Sequence, residues 1–107
     1  MKDLRELMNH IASVWICDEE RYPALQGMSS DQRKNFLIKH SLLHISKTSG
    51  KIATVCESFD HSGVMLEDDE ASLRIDVVKM FVNVIKLAEE VGLTAEDLQD
   101  KAPTIIR

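Results

Sequence analysis

The sequence has few of the features that mark a cross-linked or membrane-bound protein. Its 107 residues contain two cysteines, Cys17 and Cys56, and these lack the short spacing of metal ligands. Both lie in apolar helical patterns, so we expect buried thiols in a reducing compartment rather than a disulfide framework. No apolar run approaches the roughly 20 residues that a membrane span requires. The polar start of the chain lacks an apolar signal core, so a cytoplasmic protein without a membrane partner is expected.

Positive charge, glycine and proline are also scarce. The formal net charge is -5, which argues against a nucleic-acid partner, because such a partner usually meets a basic face. With four glycines and two prolines, the chain has no glycine-rich phosphate loop. Hydrophobic residues make up 44% and charged residues 29%, which favours a folded domain over disorder. We expect one domain, spanning residues 1–107.

The apolar periodicity predicts helices and no strands. The first helix begins after Asp3, a plausible N-cap, and we expect it to run to about Glu20, because Pro23 bars its continuation. The second helix begins after Ser29, which has a glutamine at the capping-box spacing. It continues through Gly50, where a glycine would permit close approach of another backbone or mark a kink.

Residues 72–91 predict the long helix on which the rest of the fold depends. Apolar residues recur there at spacings of four and three, which places them on one stripe. This main stripe comprises Leu73, Val77, Met80, Val84, Leu87 and Val91. A second apolar face comprises Ile75, Val78, Val82 and Ile85. Because a helix that is apolar on two sides is usually buried on both, we expect at least a dimer.

The remaining surface of this helix is a narrow polar strip. It comprises Asp76, Lys79, Asn83, Lys86 and Glu90. The second helix has its own four-three stripe of Ile38, Leu42, Ile45, Ile52, Cys56 and Phe59. Acidic residues 67–70 suit a helix N-terminus, which is their simpler explanation, although a metal site is the alternative. We expect Gly92 to end the long helix and Thr94 to cap a short one that ends before Pro103.

Three segments resemble the MazG-like all-α nucleoside triphosphate pyrophosphohydrolases. Residues 42–53, Leu-Leu-His-Ile-Ser-Lys-Thr-Ser-Gly-Lys-Ile-Ala, stand where the family has Leu-His-Leu followed by Glu-Glu-x-Gly-Glu-Leu. Residues 73–78, Leu-Arg-Ile-Asp-Val-Val, stand where it has Glu-x-x-Asp and apolar residues. Residues 87–98, Leu-Ala-Glu-Glu-Val-Gly-Leu-Thr-Ala-Glu-Asp-Leu, are similar to its ending, a glycine followed by a short helix. The resemblance covers roughly two-thirds of the chain.

This resemblance implies an all-α bundle of three main helices and a short C-terminal helix. The two apolar faces of the long helix predict that it assembles as a dimer or tetramer. The resemblance also implies Mg²⁺-dependent cleavage of nucleotides between the α and β phosphates. The family's ligand positions fall on Thr48, Lys51, Leu73 and Asp76, of which only Asp76 is an acid. Our hypothesis is that the Lys51 ammonium replaces the ion and pairs with Asp76. We therefore expect a degenerate metal site, weak or no catalysis, and a binding or structural role, with no catalytic residue assigned.

Two other interpretations of the site stay open. A rearranged carboxylate set around Asp76, Glu57 and the acidic run would support an active Mg²⁺-dependent enzyme. Alternatively, a polar stripe would hold a phosphate, a nucleotide or another anion without metal. The candidate anion-binding residues are His40, His44, Lys47, Lys51, Lys79 and Asn83, with Lys86 beside them. A plain solvated face explains the same stripe, and two histidines at i, i+4 are a weak zinc signal.

Overall fold

The computed structural model describes residues 3–106, which are helical throughout their regular structure and contain no strand. In order, the elements are α1 (Leu4–Val14), a 3₁₀ turn (Pro23–Leu25), α2 (Ser30–Ser62), α3 (Glu67–Glu90) and α4 (Ala95–Ile105). This confirms the all-α class. Met1 and Lys2, part of the polar start discussed above, lie outside the described residues. Among the helices described, none is both long and apolar enough to span a bilayer.

Helix α1 is shorter than predicted. Asp3 caps it as expected, its carboxylate accepting a hydrogen bond from the backbone N–H of Glu6 at 2.8 Å. The helix ends at Val14 rather than near Glu20, because the backbone of Trp15 leaves helical geometry. The next residues turn instead around Asp18, whose carboxylate accepts from the backbone of Arg21 and pairs with its guanidinium at 2.8 Å.

Helix α2 begins and continues as its sequence predicts. Ser29 and Gln32 form a complete capping box, and Gly63 ends the helix in the left-handed conformation at φ 72°. At about 1.5 Å per residue, its 33 residues match the 50 Å long dimension of the molecule. The close approach expected at Gly50 is absent, since a Cβ built there would meet nothing within 4 Å.

Helices α3 and α4 follow their predicted signals, with two exceptions. Helix α3 begins at Glu67, earlier than the predicted stretch of residues 72–91, and α4 ends later than predicted. The acidic residues 67–70 form the first turn of α3, where the helix dipole favours them. Gly92 follows α3 with φ 83°, and Thr94 forms a capping box with Asp97. Helix α4 does not end before Pro103 but continues to Ile105. Pro103 is tolerated because it lies in the last turns of α4, where residues 99–106 are exposed and few hydrogen bonds remain to be lost.

The hydrophobic core lies where α1 and α4 cover the C-terminal half of α3. It consists of Met8, Ile11, Ile85 and Ala95, bordered by Leu4, Leu7, Val82 and Leu98. The second apolar face of α3 is therefore used only at its C-terminal half, and Ile75 and Val78 remain exposed.

The seam between α2 and α3 is polar, which the sequence did not predict. Its buried residues are Ser41, Thr48 and Val55 on α2 and Asp76 and Asn83 on α3, each set spaced by seven. Only residues 63–66 connect α2 to α3, so the two helices are antiparallel, and the Ser41 hydroxyl donates to Glu90 Oε2 at 2.7 Å across the seam. The polar strip thus faces α2, and much of the main apolar stripe remains exposed, as at Val77 (53%), Val84 (45%) and Val91 (45%).

The space around Gly50 would accept a larger side chain, which leads to a prediction about the stability of the protein. Gly50→Ala is expected to raise the free energy of unfolding by about 1 kcal/mol, because alanine is the better helix former and nothing obstructs its methyl group. Denaturant unfolding followed by circular dichroism measures this change. As the matched control, Gly63→Ala should destabilise the protein, because φ is 72° there. A Gly50→Ala variant no more stable than the parent would show that the glycine has a structural role.

Candidate functional site

An open cavity of about 460 Å³ lies beside the polar seam. Helix α2 contributes His40, Ser41, His44, Lys47, Thr48 and Lys51 to its lining. Helix α3 contributes Lys79, Asn83, Lys86 and Glu90. The end of α1 and the segment after it contribute Val14, Trp15, Ile16, Cys17, Arg21 and Tyr22. All six candidate anion-binding residues of the sequence analysis therefore line one cavity.

The wall formed by residues 15–22 is fixed to α2 by contacts at several points. Arg33 of α2 pairs with Glu19, and the guanidinium also donates to the carbonyl of Met28 at 3.4 Å. Leu25, at 1% exposure, is the most deeply buried large side chain among residues 3–106. The Tyr22 ring lies edge-on to His40, with ring centroids 4.9 Å apart. These contacts hold the wall in place although it is not helical.

Positive charge dominates the lining. Arg21, Lys47, Lys51, Lys79 and Lys86 face a single carboxylate, that of Glu90. Arg21 is already paired with Asp18, and the Lys86 ammonium lies 3.9 Å from Glu89. Lys47, Lys51 and Lys79 form no ion pair with any residue between 3 and 106. Like charges gathered in one concave site create a local potential that favours anions, even in a chain with a net charge of -5.

The two histidines belong to an aromatic cluster at the cavity wall. The ring of Phe36 stacks on His40 at 6.0 Å, and the rings of His40 and His44 are 4.6 Å apart. Their Nε2 atoms are 3.1 Å apart, so one imidazole donates a hydrogen bond to the other. Burial, followed by the charges of His40 and Lys47, lowers the pKa of His44. A neutral His44 at physiological pH fits this contact, because a hydrogen bond between two imidazoles needs an unprotonated nitrogen as its acceptor.

The four positions equivalent to the family's metal ligands do not form a carboxylate cluster. Thr48 and Lys51 line the cavity, Leu73 is half-buried, and Asp76 is buried in the seam at 5% exposure. The predicted ion pair between Lys51 and Asp76 is wrong for this chain: the described residues form no such pair. The register of the two helices explains why this ion pair does not form. Ser41 lies opposite Glu90, so Asp76 is level with Val55, about one turn beyond Lys51 along α2.

The rearranged carboxylate set is not brought together either. Glu57 follows Val55 by two residues, so it points away from the seam, and its side chain is 76% exposed beside His61. Glu70 of the acidic run is paired with Arg74 at 2.7 Å. Within residues 3–106, no group of three or more His, Cys, Asp or Glu side chains could hold a metal ion. The residues present therefore do not fit a magnesium site, and the two histidines lack the further ligands that zinc requires.

The cysteines differ from the sequence prediction of two buried thiols. Cys56 is exposed, and Cys17 is only partly buried, at the cavity wall. Burial is the largest effect on Cys17 and raises its pKa, which Lys86 opposes, so the side chain remains a thiol at neutral pH. Cys56 is exposed because the apolar stripe of α2 lies beside the seam rather than in it.

Sequence reasoning missed the whole α1 side of the cavity. Trp15 falls within the predicted first helix, which the structure ends at Val14, and Arg21 and Tyr22 come from a stretch without periodicity. No pattern could therefore place these residues against α2 and α3. Glu90 was recognised as part of the polar strip, but not as a cavity residue. A signal was present in Val14, Trp15 and Ile16, three consecutive apolar residues that a single helix face cannot bury together.

Comparison with known proteins adds no family assignment. No protein-family model matches the chain, and neither the curated proteins nor the solved structures gave a match.

The burial of Glu90 generates a pH-dependent stability prediction. Burial raises its pKa, although the Ser41 hydrogen bond and the Lys86 charge oppose the change. Because the folded pKa exceeds the unfolded one, ionised Glu90 lowers stability above the folded pKa, and this cost disappears as the pH falls through it. Glu90→Gln should therefore raise the melting temperature at pH 7 and have little effect near pH 4. Glu20→Gln, at an exposed site outside the cavity, is the control and should leave the melting temperature unchanged at both pH values. A lower melting temperature of Glu90→Gln at pH 7 would contradict the argument.

Proposed function

We propose that this chain is a MazG-like protein with a degenerate metal site that binds a multiply charged, phosphate-bearing anion without metal. It acts as a binding and structural module and has weak or no catalytic activity. Nucleotides belong to the ligand class. The observation that carries the proposal is the convergence of Lys47, Lys51 and Lys79, none of them paired within residues 3–106, on one open cavity.

The chemistry of the lining matches such a ligand. Ammonium groups donate charge-assisted hydrogen bonds to phosphate oxygens, which are stronger than bonds between neutral groups. The Thr48 hydroxyl and the second N–H of the Asn83 amide add donors to the lining, whereas the Ser41 hydroxyl is already bonded to Glu90. Its volume of about 460 Å³ lies within the range of small-molecule sites, about 300–1,000 Å³. In this proposal the lysines supply the positive charge that a metal ion supplies in the active enzymes.

The alternative is an active Mg²⁺-dependent pyrophosphohydrolase with a rearranged carboxylate set. Its candidate ligands are apart: Asp76 of α3 is buried in the seam, and Glu57 is exposed on the side of α2 that faces away from the seam. Release of pyrophosphate from nucleoside triphosphates in the presence of Mg²⁺, lost on Asp76→Asn, would support this alternative and contradict the proposed function.

We also infer that two copies associate through one face of the α2–α3 pair. On α3, Lys79 and Lys86 lie on one side of the seam and Val77 and Val84 on the other, because consecutive helical residues are about 100° apart. On antiparallel α2, the same helical spacing puts Lys47 and Lys51 on the side of Lys79 and Lys86. It puts the apolar stripe of α2 on the side of Val77 and Val84. The pair therefore has a cationic face with the cavity and a separate apolar face.

The dimensions of the chain support this association. Its radius of gyration is 16.8 Å, whereas a compact domain of this length has about 13 Å. The apolar face includes Leu42, Phe59, Val77, Phe81, Val84 and Val91, each 42–53% exposed. Monomeric proteins rarely leave so continuous an apolar patch uncovered. Two such hairpins packed face to face would form a four-helix bundle, with a cavity on the outside of each.

The anion site is tested by titrating tripolyphosphate calorimetrically in metal-free buffer. Lys51→Gln should weaken binding about fivefold, since removing one partly exposed charge pair costs about 1 kcal/mol. Lys39→Gln is the matched control, because this lysine is on the same helix but outside the cavity. Equal dissociation constants for the two variants, or no binding by the parent protein, would contradict the proposed site.

The dimer is tested by light scattering at micromolar concentration. The parent protein should have twice the monomer mass, and Phe81→Glu should give a folded monomer, because a charge in the apolar face opposes its burial. Ile75→Glu is the control, since Ile75 is also exposed (58%) but lies six residues before Phe81, about 120° around α3 from it. A monomeric parent protein, or dissociation by Ile75→Glu alone, would overturn the assigned interface.

A further inference from the structure

We propose that the ligand of the cavity is an aryl oligophosphate, with its aromatic ring against Trp15 and Tyr22 and its phosphates toward Lys51 and Lys79. This inference rests on the proposed anion site and names the class of molecule that the site takes. It starts from an asymmetry in the lining, since the apolar residues come from the end of α1 and the segment after it, whereas all the lysines come from α2 and α3.

The apolar wall of the cavity is exposed to solvent. Val14 (55%), Trp15 (42%) and Ile16 (46%) are consecutive, and all three line the cavity. The core contacts of α1 are made by Met8 and Ile11 instead. No hydrogen bond within the described chain involves the Trp15 indole N–H. An apolar group placed against this wall would therefore remove exposed apolar surface from water, without displacing an existing contact.

The wall favours a flat ring over an alkyl chain. Tyr22, His40 and His44 are already arranged edge to face, with neighbouring centroids 4.9 and 4.6 Å apart. Aromatic rings prefer such edge-on or offset contacts, and Trp15 offers a further aromatic surface in the same cavity. A ligand ring can extend this cluster, whereas a flexible chain would lose conformational freedom for a less specific contact.

The direction of the ligand follows from the charges along the cavity. Tyr22 of the wall contacts His40, the neighbour of Ser41 on α2, and Ser41 bonds Glu90, so the wall lies at the Glu90 end of the cavity. Glu90 repels phosphate there. Lys51 and Lys79 are roughly level with each other, about ten residues from the level of Ser41 and Glu90, or about 15 Å along the helices. A ring with one phosphate would reach the level of Lys86 and Lys47, about 6 and 9 Å along the helices, whereas two or three phosphates extend toward Lys51 and Lys79.

The test compares three triphosphate esters that differ only in the organic group: methyl, n-hexyl and phenyl. Their dissociation constants are measured calorimetrically in metal-free buffer, together with the fluorescence of Trp15, the only tryptophan. We expect phenyl triphosphate to bind about tenfold more tightly than methyl triphosphate, to exceed the hexyl ester, and to change Trp15 emission. Trp15→Leu keeps an apolar side chain but removes the ring, and should abolish the preference of phenyl over hexyl while leaving tripolyphosphate affinity unchanged.

The outcomes separate this inference from the proposed function. Equal binding of the phenyl and methyl esters, alongside good binding of tripolyphosphate, would overturn the aromatic assignment and leave the anion site intact. Tighter binding of the hexyl ester would assign an alkyl phosphate instead and also overturn it. Failure of every ester and of tripolyphosphate to bind would overturn both. Val78→Ala, at an exposed apolar site outside the cavity, is the control and should leave all the affinities unchanged.

Discussion

The polar seam between α2 and α3 is the constraint on which the rest of the structure depends. Small and polar side chains at every seventh position let the two helices pack, and the hydrogen bond from Ser41 to Glu90 fixes their register. Once the seam is polar, the apolar stripes of both helices must lie beside it. The same rotation brings lysines from both helices to the opposite side. The apolar face and the cationic cavity therefore both follow from the way α2 and α3 are oriented at the seam.

The polar seam also accounts for the small amount of apolar burial within one chain. The hydrophobic core is limited to the junction of α1, α4 and the C-terminal half of α3. Apolar burial is the main favourable contribution to folding, so a chain that buries little by itself depends on further contacts for stability. Association through the apolar face would supply them without covering the cavity. Ligand binding and assembly would then occur on separate faces of the same helix pair.

The sequence predicted the helices and their caps well because these depend on local chemistry. Ser29 and Thr94 form their capping boxes as expected, and Gly92 follows α3 with positive φ. The seam was not predictable from periodicity, because a repeat of apolar residues shows which residues share a stripe but not which neighbour the stripe meets. For the same reason Asp76 was expected in a leftover strip and is buried. The six anion-binding candidates share a cavity because helical spacing had already placed them on one side of α2 and α3.

The central claim is that lysines, and not a metal ion, neutralise the ligand. The most direct measurement is the dissociation constant of tripolyphosphate in metal-free buffer and again with excess Mg²⁺. Free Mg²⁺ competes with the lysines for the phosphate oxygens, so the account predicts weaker binding when the ion is present. Tighter binding in Mg²⁺ would show that the ion bridges protein and ligand, and would contradict a metal-independent site.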